Sequence, residues 1–128
     1  MFVIKTKKKK EVIDITDELI RALEGAGNGV AHLFLLHTTA ALTTADLDPG
    51  SDLDMLDAFQ AMVPIMNYRH PHNPEHMPDH ILSSLIGASV SIPVRENKPV
   101  LGQWQRVVLV ELDGPRERQI IVSFSKES

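Results

Sequence analysis

Between Gly29 and His37 the chain runs Val-Ala-His-Leu-Phe-Leu-Leu, too continuously apolar for a strand with one wet face, and this predicts a buried β-strand. Phe2–Thr6 and Glu11–Ile15 predict two earlier strands. Between Ile15 and Gly29, Thr16 offers an N-cap, Asp17 and Glu18 fill a first helical turn, and Gly25 and Gly27 stop the helix near Glu24. Thr39–Thr44 extends the sheet. Asp48-Pro49 then predicts a helix start, and Met55, Leu56, Phe59, Met62 and Val63 recur at three- and four-residue steps as one apolar stripe ended by Pro64. A loop rich in proline and histidine leads to Pro78, which opens a short helix burying Ile81, Leu82, Leu85 and Ile86 and closing at Gly87. Beyond it, Ala88, Val90, Ile92 and Val94 alternate with Ser89, Ser91 and Pro93, as a half-buried strand does. Glu96-Asn97-Lys98 is a turn. Arg106–Leu112 and Gln119–Phe124 flank Asp113-Gly114-Pro115 and predict a terminal hairpin. Strands interspersed with two or three short helices argue an α+β domain over residues 1–128, not a parallel α/β sheet.

Composition narrows the chemistry. At 128 residues and 43% apolar content the chain can bury one core. It has no cysteine, so any bound metal must take nitrogen and oxygen ligands. No apolar stretch approaches a membrane span and the N-terminus does not read as a signal peptide, so the expectation is a cytoplasmic protein with no membrane partner. The net charge of −4 argues against a nucleic-acid partner. The exception is local, Lys5 and Lys7-Lys8-Lys9-Lys10, which a functional reading makes a polyanion-binding arm. No aromatic residue is interleaved there to stack on bases, so this run reads as a solvated loop or a charged strand edge.

Four of the six histidines lie between His70 and His80, and a fifth, His37, ends the first apolar run. Imidazole is the commonest protein metal ligand and titrates near neutrality. His37, His70 and His80 come from a strand end, a loop and a helix start, which is how separate elements converge on one ion with a coordination position left open. His32, His72 and His76 are left outside that set. Thr38 and Thr39 offer hydroxyls to a phosphate or to an imidazole. Trp104, beside Gly102 and Gln105, is a candidate pocket wall. Glu111 interrupts an apolar strand and needs a partner there, for which Arg116 or Arg118 is available; the alternative is that both arginines hold an anionic substrate.

These residues carry a resemblance. His37-Thr38-Thr39-Ala40-Ala41-Leu42, Tyr68-x-His70, Met77-Pro78-x-His80-Ile81-x-Ser83-Ser84, Gly87, Gly102-x-Trp104-Gln105 and Arg116-x-Arg118 occur in an order similar to that of the YjbQ-like family, the secondary thiamine-phosphate synthase family. The resemblance implies a sandwich-like α+β domain with antiparallel or mixed sheets, assembled as a homotrimer with its histidines near subunit boundaries. It implies His37, His70 and His80 as metal ligands, for zinc or for magnesium arriving with a pyrophosphate substrate. It implies a small phosphorylated metabolite as partner, joined as a pyrimidine pyrophosphate to a thiazole phosphate, with Thr38, Thr39, Trp104, Gln105, Arg116 and Arg118 binding it. Asp46 stands near the family's Asn-Glu-Asn acid, and Asp46 and Glu111 are the candidate catalytic carboxylates. Two other readings share the histidines: a metal- or metabolite-binding trimer without turnover, and a metal-dependent hydrolase, for which those carboxylates would supply the base.

Overall fold

The computed structural model describes residues 1–69 and 74–128. Among them lie β1 (Phe2–Lys5), β2 (Glu11–Asp14), α1 (Thr16–Ala22), β3 (Gly29–Leu35), β4 (Ala40–Ala45), α2 (Ser51–Met62), α3 (Met77–Ile86), β5 (Ser89–Arg95), β6 (Lys98–Pro99), β7 (Arg106–Glu111) and β8 (Glu117–Lys126). The strands form two sheets, ordered β1-β8-β3-β5-β6 and β2-β7-β4, and every pairing is antiparallel. The expected α+β sandwich is therefore present as a single unit. None of the described helices is long and apolar enough to cross a membrane.

β7 organises the layers. Val107 and Leu109 face the large sheet and meet Ile4, Leu33, Leu35, Ile92 and Ile120, while Val108 and Val110 face the opposite way and meet Leu82 and the half-buried Leu56, Phe59 and Ile81. Each such side chain, once buried, contributes about 1.5–3 kcal/mol, so a strand apolar on both faces needs a layer on each side. The helices α2 and α3 supply the outer one. Leu19 and Leu23 bring α1 into the core between the sheets.

Several expectations shift. The Asp113-Gly114-Pro115 turn does not close a hairpin: β7 already has β2 and β4 on its two edges, so β8 pairs with β1 and β3 in the other sheet. β3 is not buried on both faces. Ala31, Leu33 and Leu35 point inward, but Phe34 is 51% exposed and Leu36 and Ile121 are exposed near it, because no helix among the described residues covers the outside of the large sheet. Helix α2 starts at Ser51, after Gly50 in a left-handed conformation (φ 89°), not at Pro49, and it buries no residue completely. In α3 the inward face is Asp79, Leu82 and Ser83, which leaves Leu85 at 67% exposure. Thr16 does not cap its own helix. Its hydroxyl accepts the Val107 N–H at 2.9 Å, and Asp14 accepts the Thr16 N–H at 2.9 Å.

Candidate functional site

Three short loops carry the chain directly between the sheets at one end of the sandwich: residues 6–10 after β1, 36–39 after β3, and 112–116 after β7. They are tied to one another. Thr6 N–H donates to the Arg116 carbonyl at 2.9 Å, Gly114 N–H to that of Lys9 at 2.8 Å, and Leu112 N–H to that of Thr39 at 3.2 Å. Gly114 sits so close that a Cβ there would lie 2.4 Å from the Lys8 carbonyl oxygen, which explains the missing side chain.

Glu111 and Arg118 pin this corner, at 0% and 1% exposure. Arg118 Nε donates to Glu111 Oε1 at 2.9 Å, and its Nη2 donates to Glu111 Oε2 and to the carbonyl and hydroxyl oxygens of Thr39, both at 3.0 Å. Glu111 also accepts the Thr6 hydroxyl at 2.7 Å and the Asp113 N–H at 3.2 Å. Of the two partners considered for this carboxylate, the structure supplies Arg118. Both residues are thereby occupied internally, and Thr39 is held with its hydroxyl against the guanidinium.

In front of this pair opens a cleft of about 670 Å³, lined by His37, Thr38 and Thr39, by Arg116, and by His76 and His80 at the start of α3. Arg116 is half exposed. Its Nη2 donates to the buried Asp113 carboxylate at 3.0 Å, and His76 Nδ1 lies 3.6 Å from the same oxygen. On the far side of α3, buried Asp79 accepts from Lys10 Nζ at 2.9 Å, which also donates to the Leu112 carbonyl at 3.1 Å. The sequence pattern assigns no site role to Asp113, Asp79, Lys10 or Thr6 and leaves His76 outside the ligand set. Lys10 was hidden in a run of like residues, and Asp113 in a turn signature.

His37 Nε2 accepts the Gln119 N–H at 2.9 Å, so in the neutral ring the proton sits on Nδ1. Burial, then the nearby Arg118 and Arg116 charges, push its pKa below 6.5 despite the opposing pull of Glu111. The native state thus resists protonating this ring more than the unfolded chain does. Its stabilising share is complete above pH 6.5 and is lost as pH falls from there toward the lower native value. In metal-free protein, His37→Asn, which keeps an acceptor for Gln119, should flatten that part of the pH–stability curve in urea titrations. A variant that loses stability on acidification as steeply as wild type would contradict this.

The remaining candidates lie elsewhere. Asp46 and Trp104 line a separate pocket of about 270 Å³ with Asp14 and Arg106, at the opposite end of β4 from Thr39. A six-residue strand separates the two places by about 17 Å. Trp104 is 66% exposed, and Gln105 donates to the Thr44 hydroxyl at 3.0 Å. His70 lies outside the described residues. Among the described residues no three His, Asp or Glu side chains converge as a metal site, although His37, His76 and His80 line the same cleft.

Comparison with known proteins gives a consistent answer. The profile of a family described as "UPF0047 protein YjbQ-like" matches residues 1–127. A UPF0047 protein of Archaeoglobus fulgidus is 38% identical over 120 residues, 93% of this chain and 94% of that one. The UPF0047 protein YjbQ of Salmonella typhimurium is 40% identical over 112 residues, covering 80% and 81%. The crystal structure of a YbjQ-like protein from Sulfolobus solfataricus superposes with a TM-score of 0.90 at 34% identity, covering 98% of this chain and 94% of that one. With sequence and architecture matching along nearly its whole length, this chain belongs to the YjbQ-like UPF0047 family.

Proposed function

We propose that the corner cleft is the active site of a cytoplasmic, metal-dependent enzyme acting on small phosphorylated heterocycles, which joins a pyrimidine pyrophosphate to a thiazole phosphate. One observation carries the reading: three imidazoles, two threonines and a half-exposed guanidinium from three separate segments line a single polar cleft large enough for a metabolite. In the proposed reaction the thiazole nitrogen lone pair forms the new C–N bond. The C–O bond to pyrophosphate breaks, and its electron pair leaves with the pyrophosphate oxygen. Arg116 holds phosphate, Thr38 orients it, and Arg118 acts indirectly by fixing Thr39. A zinc ion would be held by His37 and His80 with His70 and would neutralise charge on the departing group, whereas magnesium, which prefers oxygen ligands, would arrive with the pyrophosphate substrate. Ligation through His37 Nε2 requires releasing the Gln119 N–H. Incubating purified protein with both heterocycles and a series of divalent ions, then detecting thiamine phosphate by mass spectrometry, tests the reading. Bound metal without product under every ion would replace it with a binding trimer lacking turnover. That second reading gains support from Glu111, whose oxygens are all engaged, and from Asp46, which lies far from the cleft; the same facts weigh against a hydrolase needing a carboxylate base.

The homotrimer belongs to the same proposal. Phe34 and Ile121 pair across β3 and β8 on the uncovered face, with exposed Leu36 at its edge, and burying such side chains against another copy contributes about 1.5–3 kcal/mol each. Phe34→Glu should leave each subunit folded and shift the mass in sedimentation to that of a single chain. A trimer unchanged by that substitution would exclude this face as the contact.

A further inference from the structure

The sandwich carries opposite charge at its two ends. At the corner that holds the cleft, the ammonium groups of Lys7, Lys8 and Lys9 have no acidic partner among the described residues. Their loop is nonetheless ordered, since Glu11 accepts the N–H groups of Lys7 and Lys8 at 2.6 and 2.8 Å. Past the far end of β4, Asp46, Asp48, Asp52 and Asp54 have no basic partner among the described residues. Arg106, the cation beside them, is taken by Asp14 and Asp17. Each end also shows apolar surface. Val3, Ile121 and Phe34 are exposed on the adjacent strands β1, β8 and β3 near the basic loop, with Leu36 just beyond. At the acidic end Trp104 is exposed and lines one pocket with Asp46 and Asp48.

We propose that the Phe34 face of one subunit is covered by the Trp104 end of a second copy, so that the chains join head to tail in a closed ring. Charge selects this pairing. Either surface against its own kind would set like charges together, whereas the basic end against the acidic end offsets both. A contact between two different surfaces of one chain is heterologous, and repeating it by rotation closes a ring. Trp104 is the anchor, lying on Phe34, Leu36 and Ile121, and aromatic side chains of this kind dominate interface energetics. Asp46 and Asp48 then approach Lys5 and the Lys7–Lys9 run. Leu36 also lines the cleft, so the next copy's Trp104 end borders its open side and each site takes residues from two chains. The inference rests on the trimer given under Proposed function and adds the second surface that completes it.

The chain has no cysteine, so introduced thiols report contacts without background. Val3→Cys and Gln103→Cys each place a thiol at an exposed position beside an anchor while leaving Phe34 and Trp104 intact. Treated with a short bis-maleimide, the double variant should run in a denaturing gel at the mass of a trimer, and each single variant at that of one chain. Trp104→Ala should raise the dissociation constant of the assembly in sedimentation by at least about thirtyfold, the scale of an interfacial anchor. Its circular dichroism should match wild type, because the ring is mostly exposed in the single chain. Cross-linking of either single variant to itself would show a surface meeting its own kind and refute the head-to-tail contact. A double variant that stays uncoupled while sedimenting as a trimer, or an assembly indifferent to Trp104→Ala, refutes it too and leaves the trimer standing. Wild type sedimenting as one chain at all concentrations removes the trimer and this inference together.

Discussion

Glu111→Gln should lower the unfolding free energy by about 3–5 kcal/mol, because it leaves the Arg118 guanidinium buried without its counter-charge. Against the roughly 5–15 kcal/mol that holds a typical domain together, this is a large fraction. The expectation follows from position: the carboxylate receives the Arg118 fork, the Thr6 hydroxyl and the Asp113 N–H, and no water-facing oxygen is left to relax toward. Urea unfolding followed by circular dichroism measures it. Adding Arg118→Met should cost less than the sum of the single changes, since the second substitution removes a charge the first has stranded. A Glu111→Gln protein as stable as wild type but without turnover would instead assign the carboxylate a chemical role.

His80→Ala should abolish both stoichiometric metal binding and product formation while the unfolding free energy stays within ~1 kcal/mol of wild type. The ring lines the cleft from the first turn of α3, and the inward face of that helix is made by Asp79, Leu82 and Ser83, so packing survives its removal. Elemental analysis of purified protein reads the metal content directly. Undiminished metal in the variant would remove His80 from the ligand set, whatever happened to activity.

Much of the fold could be read from residue pattern, because strand existence depends on local periodicity. The runs at Phe2, Gly29, Ser89 and Arg106 all became strands. What local pattern could not give was sheet membership. Nothing between Leu112 and Gln119 announces that β8 leaves its neighbour for the other sheet; that is decided by both edges of β7 being taken. The same limit explains α3. Helical spacing marks Leu85 and Leu82 alike as apolar, but only the position of β4 and Lys10 makes Asp79 the buried one. Among site residues, His37, Thr38, Thr39, Arg116 and His80 do share one cleft, as their order along the chain suggested. Asp46 and Trp104 do not join them within one chain, since β4 puts its two ends far apart. His76 was passed over because a loop histidine carries no periodic signal, and its place beside Asp113 arises only when two crossings meet.

That meeting of crossings has a mechanical consequence. The two sheets resemble the covers of a book, and loops 6–10, 36–39 and 112–116 are stitched together along one spine. A ligand bridging Thr38 and Arg116 would bind on the stitching itself, clasping one layer to the other, so its occupancy should be felt in amide exchange across both sheets rather than in the loops alone.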